Sequence, residues 1–309
     1  MDVAMTNVAQ AQTVSPKRRR GRARWYPYLL IAPAAALVAI FLVYPVGSVF
    51  YYGLQNYNVT MPLYNGFVGF DNFVAIANDQ KFWDSLLFTF KWVVVEIGLQ
   101  FVFGLALALL INQTFKGRGV VRSLVFTPWA VAGILTTTIW LLIYNPTTGV
   151  GRYLADMGLI PYGTSLLAGE ETAFWAAVLA ELWKGAPFFA ILILADLQSV
   201  PAELYESAEM DGAGRVRKFL SITWPHIRLA VVIATLLRAV WEFNNVDLLY
   251  TLTGGGPAGS TTTLPLYVAQ TAIDDRDFGY GSALTVIAFI LLIIFTAVYL
   301  RINRFGKDD

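Results

Sequence analysis

The sequence predicts an all-α polytopic membrane protein with six transmembrane helices. Of its 309 residues, 57% are hydrophobic and only 14% are charged, whereas soluble domains carry about 25% charged residues. The apolar residues also form long continuous runs, which is typical of membrane helices. A transmembrane β-barrel would instead show short segments of alternating polarity. A water-soluble fold of this length could not bury so much apolar surface.

Six apolar runs are long enough to cross about 30 Å of hydrocarbon. They cover residues 26–50, 85–111, 121–143, 173–194, 229–249 and 282–300. We expect these runs and their loops to form a single transmembrane domain over residues 25–305. Residues 1–24 are polar and end in the basic run KRRRGRAR. They are interpreted as a disordered cytoplasmic tail that binds anionic membrane lipid rather than nucleic acid.

Basic residues orient the helices, because cytoplasmic loops are enriched in Lys and Arg. Six lie in the N-terminal tail, three near residues 116–122, four within residues 215–228 and three in the C-terminal tail, but only three lie in the alternate loops. The distribution predicts a multi-pass protein of the cytoplasmic (inner) membrane with both termini in the cytoplasm. The formal net charge of +1 gives no reason to expect a nucleic-acid partner.

The sequence offers little for covalent catalysis or metal binding. It contains no Cys, which excludes disulfides, Cys-ligated zinc and Cys nucleophiles. Its single His, His226, makes a His-based metal site or catalytic triad improbable on composition alone. We therefore expect no catalytic residues and no metal site, and we expect the chain not to be an enzyme.

Residues 201–225 form the most polar internal segment, and the basic residues place it in the cytoplasm. Pro201 and two nearby acids suit a helix start. Gly212 and Gly214 then predict a bend, and the following residues return to a helical pattern until Pro225. Small residues at the bend would let another backbone approach closely. The segment is therefore predicted to be a helix, a bend and a second helix that contact a partner.

This segment resembles the signature of the inner-membrane subunits of binding-protein-dependent ABC importers. That signature has Glu-Ala-Ala, then Asp-Gly-Ala, Phe, Ile and Pro at fixed spacing. Here it reads Glu206-Ser207-Ala208, Asp211-Gly212-Ala213, Phe219, Ile222 and Pro225, with Ser207 the one departure. The resemblance implies an ABC type I importer permease fold in which this segment is the coupling helix of a cytoplasmic ATPase dimer. The implied ATPase-coupling residues are Glu206, Ala208, Asp211, Gly212, Ala213 and Phe219.

The resemblance covers about residues 25–305 and points to the maltose-type carbohydrate-uptake branch. The stretch NNVDLLYTLTGGGPAGSTTTLPLY, residues 244–267, carries that likeness. It implies a heterodimer with a second, homologous permease subunit, and an external or periplasmic substrate-binding protein that delivers the substrate. The chain has no Walker A motif. We therefore expect this chain to bind no cofactor and the partner ATPase to bind ATP and Mg²⁺.

Polar residues inside membrane helices are costly and usually functional. The candidates are Lys91, Glu96, Glu181, Lys184, Asp196, Arg238, Glu242, Asn244, Asn245 and Asp247. Glu181 and Lys184 are spaced i,i+3, and Arg238 and Glu242 are spaced i,i+4, so each pair can share a helix face. We expect mutual neutralisation between helices to account for most of these charges.

Two clusters combine aromatic and polar side chains, as sugar sites do: WKGAPF at 183–188 and WEFNN at 241–245. In maltose-type permeases, the positions matching Trp183, Gly185, Phe188, Trp241, Glu242 and Asn245 line the sugar site. Lys184 and Asn244 complete the predicted substrate pathway. Lys184 and Glu242 place charge where that type is neutral, and Phe188 lacks a Tyr hydroxyl. The resemblance therefore supports the location of the site better than the ligand.

The resemblance implies import of a di- or oligosaccharide, and two other transport functions stay open. One is import of a glycerol-phosphate-type polyol phosphoester, in which Lys184 and Arg238 would face an anion. The other is an ion-coupled secondary carrier that uses Glu181 or Glu242. A membrane enzyme is disfavoured, because no nucleophile is spaced with a base.

Overall fold

The computed structural model describes residues 25–303. The predicted tail, residues 1–24, lies outside the described residues. The chain is almost entirely helical, which confirms the predicted fold class. Its first membrane-length helix is built from α1 (Tyr26–Val38), a π-helical turn (Ala39–Val43) and α2 (Tyr44–Gly53). The apolar side chains of this first helix are exposed, as a helix facing lipid requires.

The rest of the chain follows in this order: β1 (Gln55–Asn56), a 3-10 turn (Pro62–Tyr64), β2 (Gly66–Phe67), α3 (Asp71–Ala77), α4 (Gln80–Asn112), α5 (Arg118–Ala130), α6 (Gly133–Ile143), α7 (Val150–Asp156), α8 (Glu170–Leu197), α9 (Ala202–Met210), α10 (Arg215–Lys218), a π-helical turn (Phe219–Thr223), α11 (Trp224–Phe243), α12 (Asp247–Leu252), α13 (Leu264–Ala269), a π-helical turn (Gln270–Asp274) and α14 (Phe278–Ile302). The strands β1 and β2 pair antiparallel.

Three of the predicted membrane runs lie within single long helices. Residues 85–111 lie inside α4, residues 173–194 inside α8 and residues 282–300 inside α14. Each of these helices is longer than the apolar run that it contains.

The third predicted run, residues 121–143, is bent rather than straight. α5 and α6 meet at an angle of 97°. Val131 and Ala132 have extended backbone angles, with ψ of 133° and 142°, and they separate the two helices. Apolar composition continues through the bend, so hydropathy gave no sign of it.

The fifth predicted run, residues 229–249, is displaced along the chain. One helix of membrane-spanning length runs from Arg215 to Phe243. It continues past Pro225 because the π-helical turn just before it shifts the hydrogen-bond pattern, which accommodates a nitrogen that cannot donate. The helix ends at Asn244, whose side chain donates to the Val240 carbonyl at 2.8 Å. Residues 247–252 form the separate helix α12.

The core of the protein is the contact between α4 and α8, with α11 packed against both. One face of α4 is buried, with members three or four residues apart as a helix face requires. They are Phe82, Ser85, Thr89, Trp92, Glu96, Gln100, Gly104, Ala108 and Ile111. Polar side chains occupy the middle of this face and small ones follow. The helices therefore meet around a polar centre.

Gly104 sets the distance between α4 and α8. A Cβ there would lie 2.8 Å from the Ala186 carbonyl oxygen and would also collide with Phe189.

We expect Gly104→Ala to lower the melting temperature of the purified complex, since overpacking a core costs about 1–3 kcal/mol. Gly98→Ala is the matched control on the same helix, because nothing lies within 4 Å of a Cβ at Gly98. Equal melting temperatures for the two variants would contradict this packing.

Candidate functional site

A polar cavity of about 540 Å³ opens where α8, α11 and the bend between α5 and α6 meet. Small-molecule sites usually enclose about 300–1,000 Å³. The lining residues are Trp129, Val131, Glu181, Lys184, Arg238, Trp241, Glu242, Asn244 and Asn245. We refer to this space as the polar cavity.

Three local features bring these residues together. The bend after Ala130 places Trp129 and Val131 at the wall instead of continuing α5. On α11, Arg238, Trp241 and Glu242 are spaced i, i+3 and i+4, so they share one face. The end of the same helix at Phe243 then places the two asparagines at the rim of that face.

A buried ionic network adjoins the cavity, formed by Glu96, Gln100, Glu181, Arg238 and Glu242; Glu181, Arg238 and Glu242 also line the cavity. We call it the Arg238 network. Arg238 Nη2 donates to Glu181 Oε1 at 3.1 Å, and it also pairs with Glu242 Oε1. Arg238 is 6% exposed, Glu181 2% and Glu242 1%. Charges this deeply buried must be paired, because desolvation of a single charge costs several kcal/mol.

Gln100 connects the ionic groups from α4. Its Oε1 accepts from Arg238 Nε at 2.8 Å. Its Nε2 donates to Glu96 Oε2 at 3.0 Å and to Glu242 Oε1 at 3.2 Å. Glu96 was among the candidates predicted from the sequence, but Gln100 was missed. The sequence does contain a feature that could have revealed it: Gln100 is a polar residue inside an apolar run, one helical turn after Glu96.

Of the two charge pairs predicted to share a helix face, one forms an ion pair in the structure and the other does not, and the expected neutralisation between helices is found at Arg238. Arg238 and Glu242 do pair along α11. Glu181 pairs with Arg238 of another helix instead of with Lys184 of its own. Lys184 lies in the cavity wall, and no carboxylate of the described residues forms an ion pair with it. Spacing along one helix cannot reveal such a competitor from a neighbouring helix.

Aromatic side chains form one wall beside the polar groups. The ring centroid of Phe188 lies 5.0 Å from that of Trp241 and 6.2 Å from that of Trp129. Phe188 is buried, whereas Trp241 is 46% exposed. The two tryptophans therefore present surface to the cavity, and Phe188 supports them from behind.

Five of the eight predicted substrate-pathway residues line the polar cavity: Lys184, Trp241, Glu242, Asn244 and Asn245. The other three lie elsewhere. Trp183 lines a separate apolar groove and packs edge-on against Trp140. Phe188 lies behind the wall. Gly185 is buried under the Arg238 network, where a Cβ would collide with the Gln100 and Arg238 side chains.

The predicted coupling segment, residues 201–225, has the expected helix, bend and helix. α9 ends at Met210, and Gly212 takes the left-handed φ of +73° that a glycine tolerates best. The Ala213 amide donates to the Ala208 carbonyl at 2.8 Å, which closes the turn. Glu206, Asp211 and Gly212 are exposed.

The surface of this segment is unusually apolar for an exposed turn. The exposed fractions are 90% for Met210, 72% for Val216, 58% for Leu220 and 49% for Leu204. Exposed apolar groups clustered on a folded surface are typical of a protein contact. The feature agrees with the contact with a partner that the sequence predicts for this segment.

Contacts fix α9, the first helix of the coupling segment, to the long helix of residues 215–243. The Tyr205 hydroxyl hydrogen-bonds the Thr223 hydroxyl at 2.9 Å. Lys218 donates to Glu209 at 2.7 Å. Hydrogen bonding from Lys218, helped by its charge, lowers the pKa of the Glu209 carboxyl. This contact is therefore present at neutral pH and is lost as the pH falls through that pKa.

The same helix joins the coupling segment to the polar cavity. Residues 215–243 are helical throughout, through the π-helical turn. At 1.5 Å per residue this helix is roughly 40 Å long. Its first turn adjoins the bend at Gly212, and its last two turns carry Arg238, Trp241 and Glu242. A displacement of the coupling segment would therefore reach the cavity through a single element.

No metal centre is present in the part of the chain that the structure describes: no three His, Asp or Glu side chains there are arranged to hold an ion. The groups in this site are suited to binding a small molecule. It offers aromatic surface, amide groups, carboxylates and a lysine around a space of small-molecule size.

Comparison with known proteins gives consistent results. The family model described as "binding-protein-dependent transport system inner membrane component" matches residues 100–305. The trehalose/maltose transport system permease protein MalF of Thermococcus litoralis is 38% identical over 282 residues, which are 91% of this chain and 94% of that protein. The sulfoquinovosyl glycerol transport system permease protein SmoG of Agrobacterium fabrum is 37% identical over 280 residues, 89% of each chain.

A solved structure shares the fold. It is a bacterial alginate ABC transporter in complex with an alginate pentasaccharide-bound periplasmic protein. The matched chain superimposes with a TM-score of 0.76 at 21% sequence identity, over 91% of this chain and 94% of that chain. At this identity the likeness establishes the architecture alone.

Loss of the central cation should destabilise the helix bundle. In Arg238→Leu, Glu181 and Glu242 stay buried without their partner, which costs about 3–5 kcal/mol. We expect a large drop in melting temperature or a loss of assembled complex. Arg152→Leu is the control, because the Arg152–Asp156 pair is exposed and such pairs contribute about 0–1 kcal/mol. If both variants melted like the unsubstituted protein, the network would not hold the helices together.

Proposed function

The chain belongs to the family of binding-protein-dependent transport system inner membrane components, and from this we propose that its polar cavity carries a di- or oligosaccharide across the membrane. The family consists of the transport subunits of ABC importers, in which ATP hydrolysis belongs to separate subunits. The resemblance stated from the signature at residues 206–225 is therefore confirmed at the level of the family. The chain is a membrane transport subunit and not an enzyme.

The observation that carries the sugar proposal is the pairing of aromatic and amide groups in the polar cavity. Trp129 and Trp241 offer flat apolar surface, on which the apolar face of a pyranose ring can stack. Asn244 and Asn245 supply amide donors and acceptors for hydroxyl groups. The trehalose/maltose permease of 38% identity supports the same substrate class.

Lys184 favours one alternative within the same transport function. It contributes an ammonium group to the cavity wall, and no carboxylate of the described residues forms an ion pair with it. A polyol phosphoester of the glycerol-phosphate type could place its anionic group there. Glu181 and Glu242 in the same wall balance the charges of Lys184 and Arg238, so the wall has no excess of positive charge for an anion and we favour the uncharged sugar.

The partner proposals follow from the coupling segment and the cavity. The exposed apolar groups of the coupling segment and the open space at Gly212 would meet a cytoplasmic ATPase dimer, which binds ATP and Mg²⁺. A second, homologous permease subunit would complete the pathway as a heterodimer. An external substrate-binding protein would deliver the sugar. The distribution of basic residues supports placing both termini in the cytoplasm of the cell.

The proposed mechanism is mechanical. Closure of the ATPase dimer moves the coupling segment, and Tyr205–Thr223 and Glu209–Lys218 transmit the movement to the helix of residues 215–243. Phe219 packs against Trp224, which in turn contacts Phe101 of α4. In this proposal α11 and α4, two of the three helices that meet at the Arg238 network, move together. The cavity alternates between the two sides of the membrane without any covalent step.

Trp241→Ala tests the sugar site. It removes a stacking surface from the cavity. We expect uptake of labelled trehalose or maltose to fall about tenfold while the complex still assembles, because losing a stacking contact of about 1.5 kcal/mol corresponds to about that factor. Trp183→Ala is the matched control, because Trp183 lines the apolar groove instead of the cavity. Unchanged uptake by Trp241→Ala, or an equal loss in both variants, would argue against this cavity.

Gly212→Asp tests docking of the ATPase. The added carboxylate projects into the open surface of the coupling segment, so we expect loss of co-purification with the ATPase and of coupled ATP hydrolysis. Gly117→Asp is the control: Gly117 also has a left-handed φ, +84°, and nothing within 4 Å of a Cβ. Gly117→Asp therefore introduces the same unfavourable left-handed backbone angle for a non-glycine residue, but in a different loop. Normal ATPase binding by Gly212→Asp would exclude this segment as the docking site.

A further inference from the structure

Gln100 lies next to the proposed sugar site without touching it. It is fully buried on α4 and does not belong to the lining of the polar cavity. Nothing in the signature of the family, which lies at residues 206–225, concerns this helix. Its role must therefore be read from its contacts.

Both ends of the Gln100 amide are in use. The oxygen accepts from Arg238 Nε at 2.8 Å, and the nitrogen donates to Glu96 and Glu242. A carboxylate has no donor for these two acids, and an aliphatic side chain has neither group. Only a side chain with an acceptor facing Arg238 and a donor facing Glu242 fits this position.

The contact with Glu242 leads to the cavity. Glu242 Oε1 accepts hydrogen bonds from Gln100 Nε2 and Arg238 Nη2. The other carboxylate oxygen, Oε2, accepts a hydrogen bond from Asn245 Nδ2 at 3.4 Å. Glu242 and Asn245 both line the polar cavity. The orientation of two cavity groups therefore depends on an amide on a different helix.

Gly185 provides the space for this arrangement. A Cβ at that position would collide with the carboxamide of Gln100 and with Arg238 Nη2. This explains why a glycine occupies a buried position in the middle of α8, where alanine would favour the helix by about 1 kcal/mol.

We propose that Gln100 is a positioning residue that sets the sugar affinity of the polar cavity by orienting Arg238 and Glu242, and that Gly185 provides the room for it. This inference rests on the proposed function, because the affinity in question is for a sugar. It goes beyond it by assigning that affinity to residues that the sugar does not contact.

The test uses the purified complex of this chain with its partner subunits, and it measures the Kd for trehalose and for maltose by calorimetry. Gln100→Glu has nearly the same size and shape but loses the donor. Hydrogen bonds to charged groups contribute enough for a roughly tenfold effect. We expect the Kd to rise about tenfold or more, while the maximal uptake rate at saturating sugar falls by less than about threefold. A role in packing alone predicts an unchanged Kd.

Gly185→Ala should raise the Kd in the same way, because the new methyl group displaces Gln100 and Arg238. Gly104→Ala is the matched control: it creates a clash at the same α4–α8 interface without touching the network. It should lower the melting temperature and leave the Kd unchanged. Equal Kd values for the unsubstituted, Gln100→Glu and Gly185→Ala complexes would overturn the inference.

A double-mutant cycle tests the position of Gln100 without any substrate. If Gln100 and Gly185 share one space, the melting shifts of Gln100→Ala and Gly185→Ala are non-additive, since shortening position 100 relieves part of the clash. Additive shifts would contradict the inference. If the unsubstituted complex bound neither sugar, the sugar proposal would fail, and the cycle would still show whether Gln100 and Gly185 are coupled.

Discussion

A single guanidinium group, that of Arg238, joins three helices at the centre of this protein. Among residues 25–303 it is the one buried Lys or Arg, and it faces Glu181 of α8, Glu242 of its own helix and the Gln100 amide of α4. In a low-dielectric interior such groups are stable only with partners in fixed geometry. The positions of the three helices therefore follow from the positions of these few polar groups. The cavity lies directly against them, so binding and assembly use the same side chains.

The long helix of residues 215–243 connects this centre to the predicted coupling segment. Its continuity depends on the π-helical turn before Pro225, which lets the helix pass a residue that would otherwise break it. A similar π-helical turn precedes Pro45 in the first membrane helix. A rigid helix of this length suits the transmission of movement from an ATPase to a binding site. The hydrogen bond from Tyr205 to Thr223 fixes the point at which such movement would enter.

Hydropathy was sufficient to predict the membrane fold and the approximate spans, and local spacing was sufficient to predict the exposed helix, bend and helix of residues 201–225, because those features depend on composition and local pattern. The bend at Val131 could not be predicted from hydropathy, since apolar residues continue through it. Pro225 was taken as a boundary, because the π-helical turn that accommodates it has no simple pattern. In the site, Lys184, Trp241 and Asn245 were found from local clusters. Gln100 was missed, and the position of Gly185 beneath the Arg238 network was not foreseen, because such contacts arise only where helices distant in sequence meet.

The central claim is that a sugar binds in the polar cavity in front of an intact Arg238 network. A structure of the complete complex with trehalose or maltose bound tests it most directly. The account predicts sugar density against Trp129 or Trp241, within hydrogen-bond distance of Asn244 or Asn245. It also predicts that Arg238 keeps its contacts with Glu181 and Glu242. Sugar bound elsewhere in this chain, or an Arg238 separated from both carboxylates, would contradict the account.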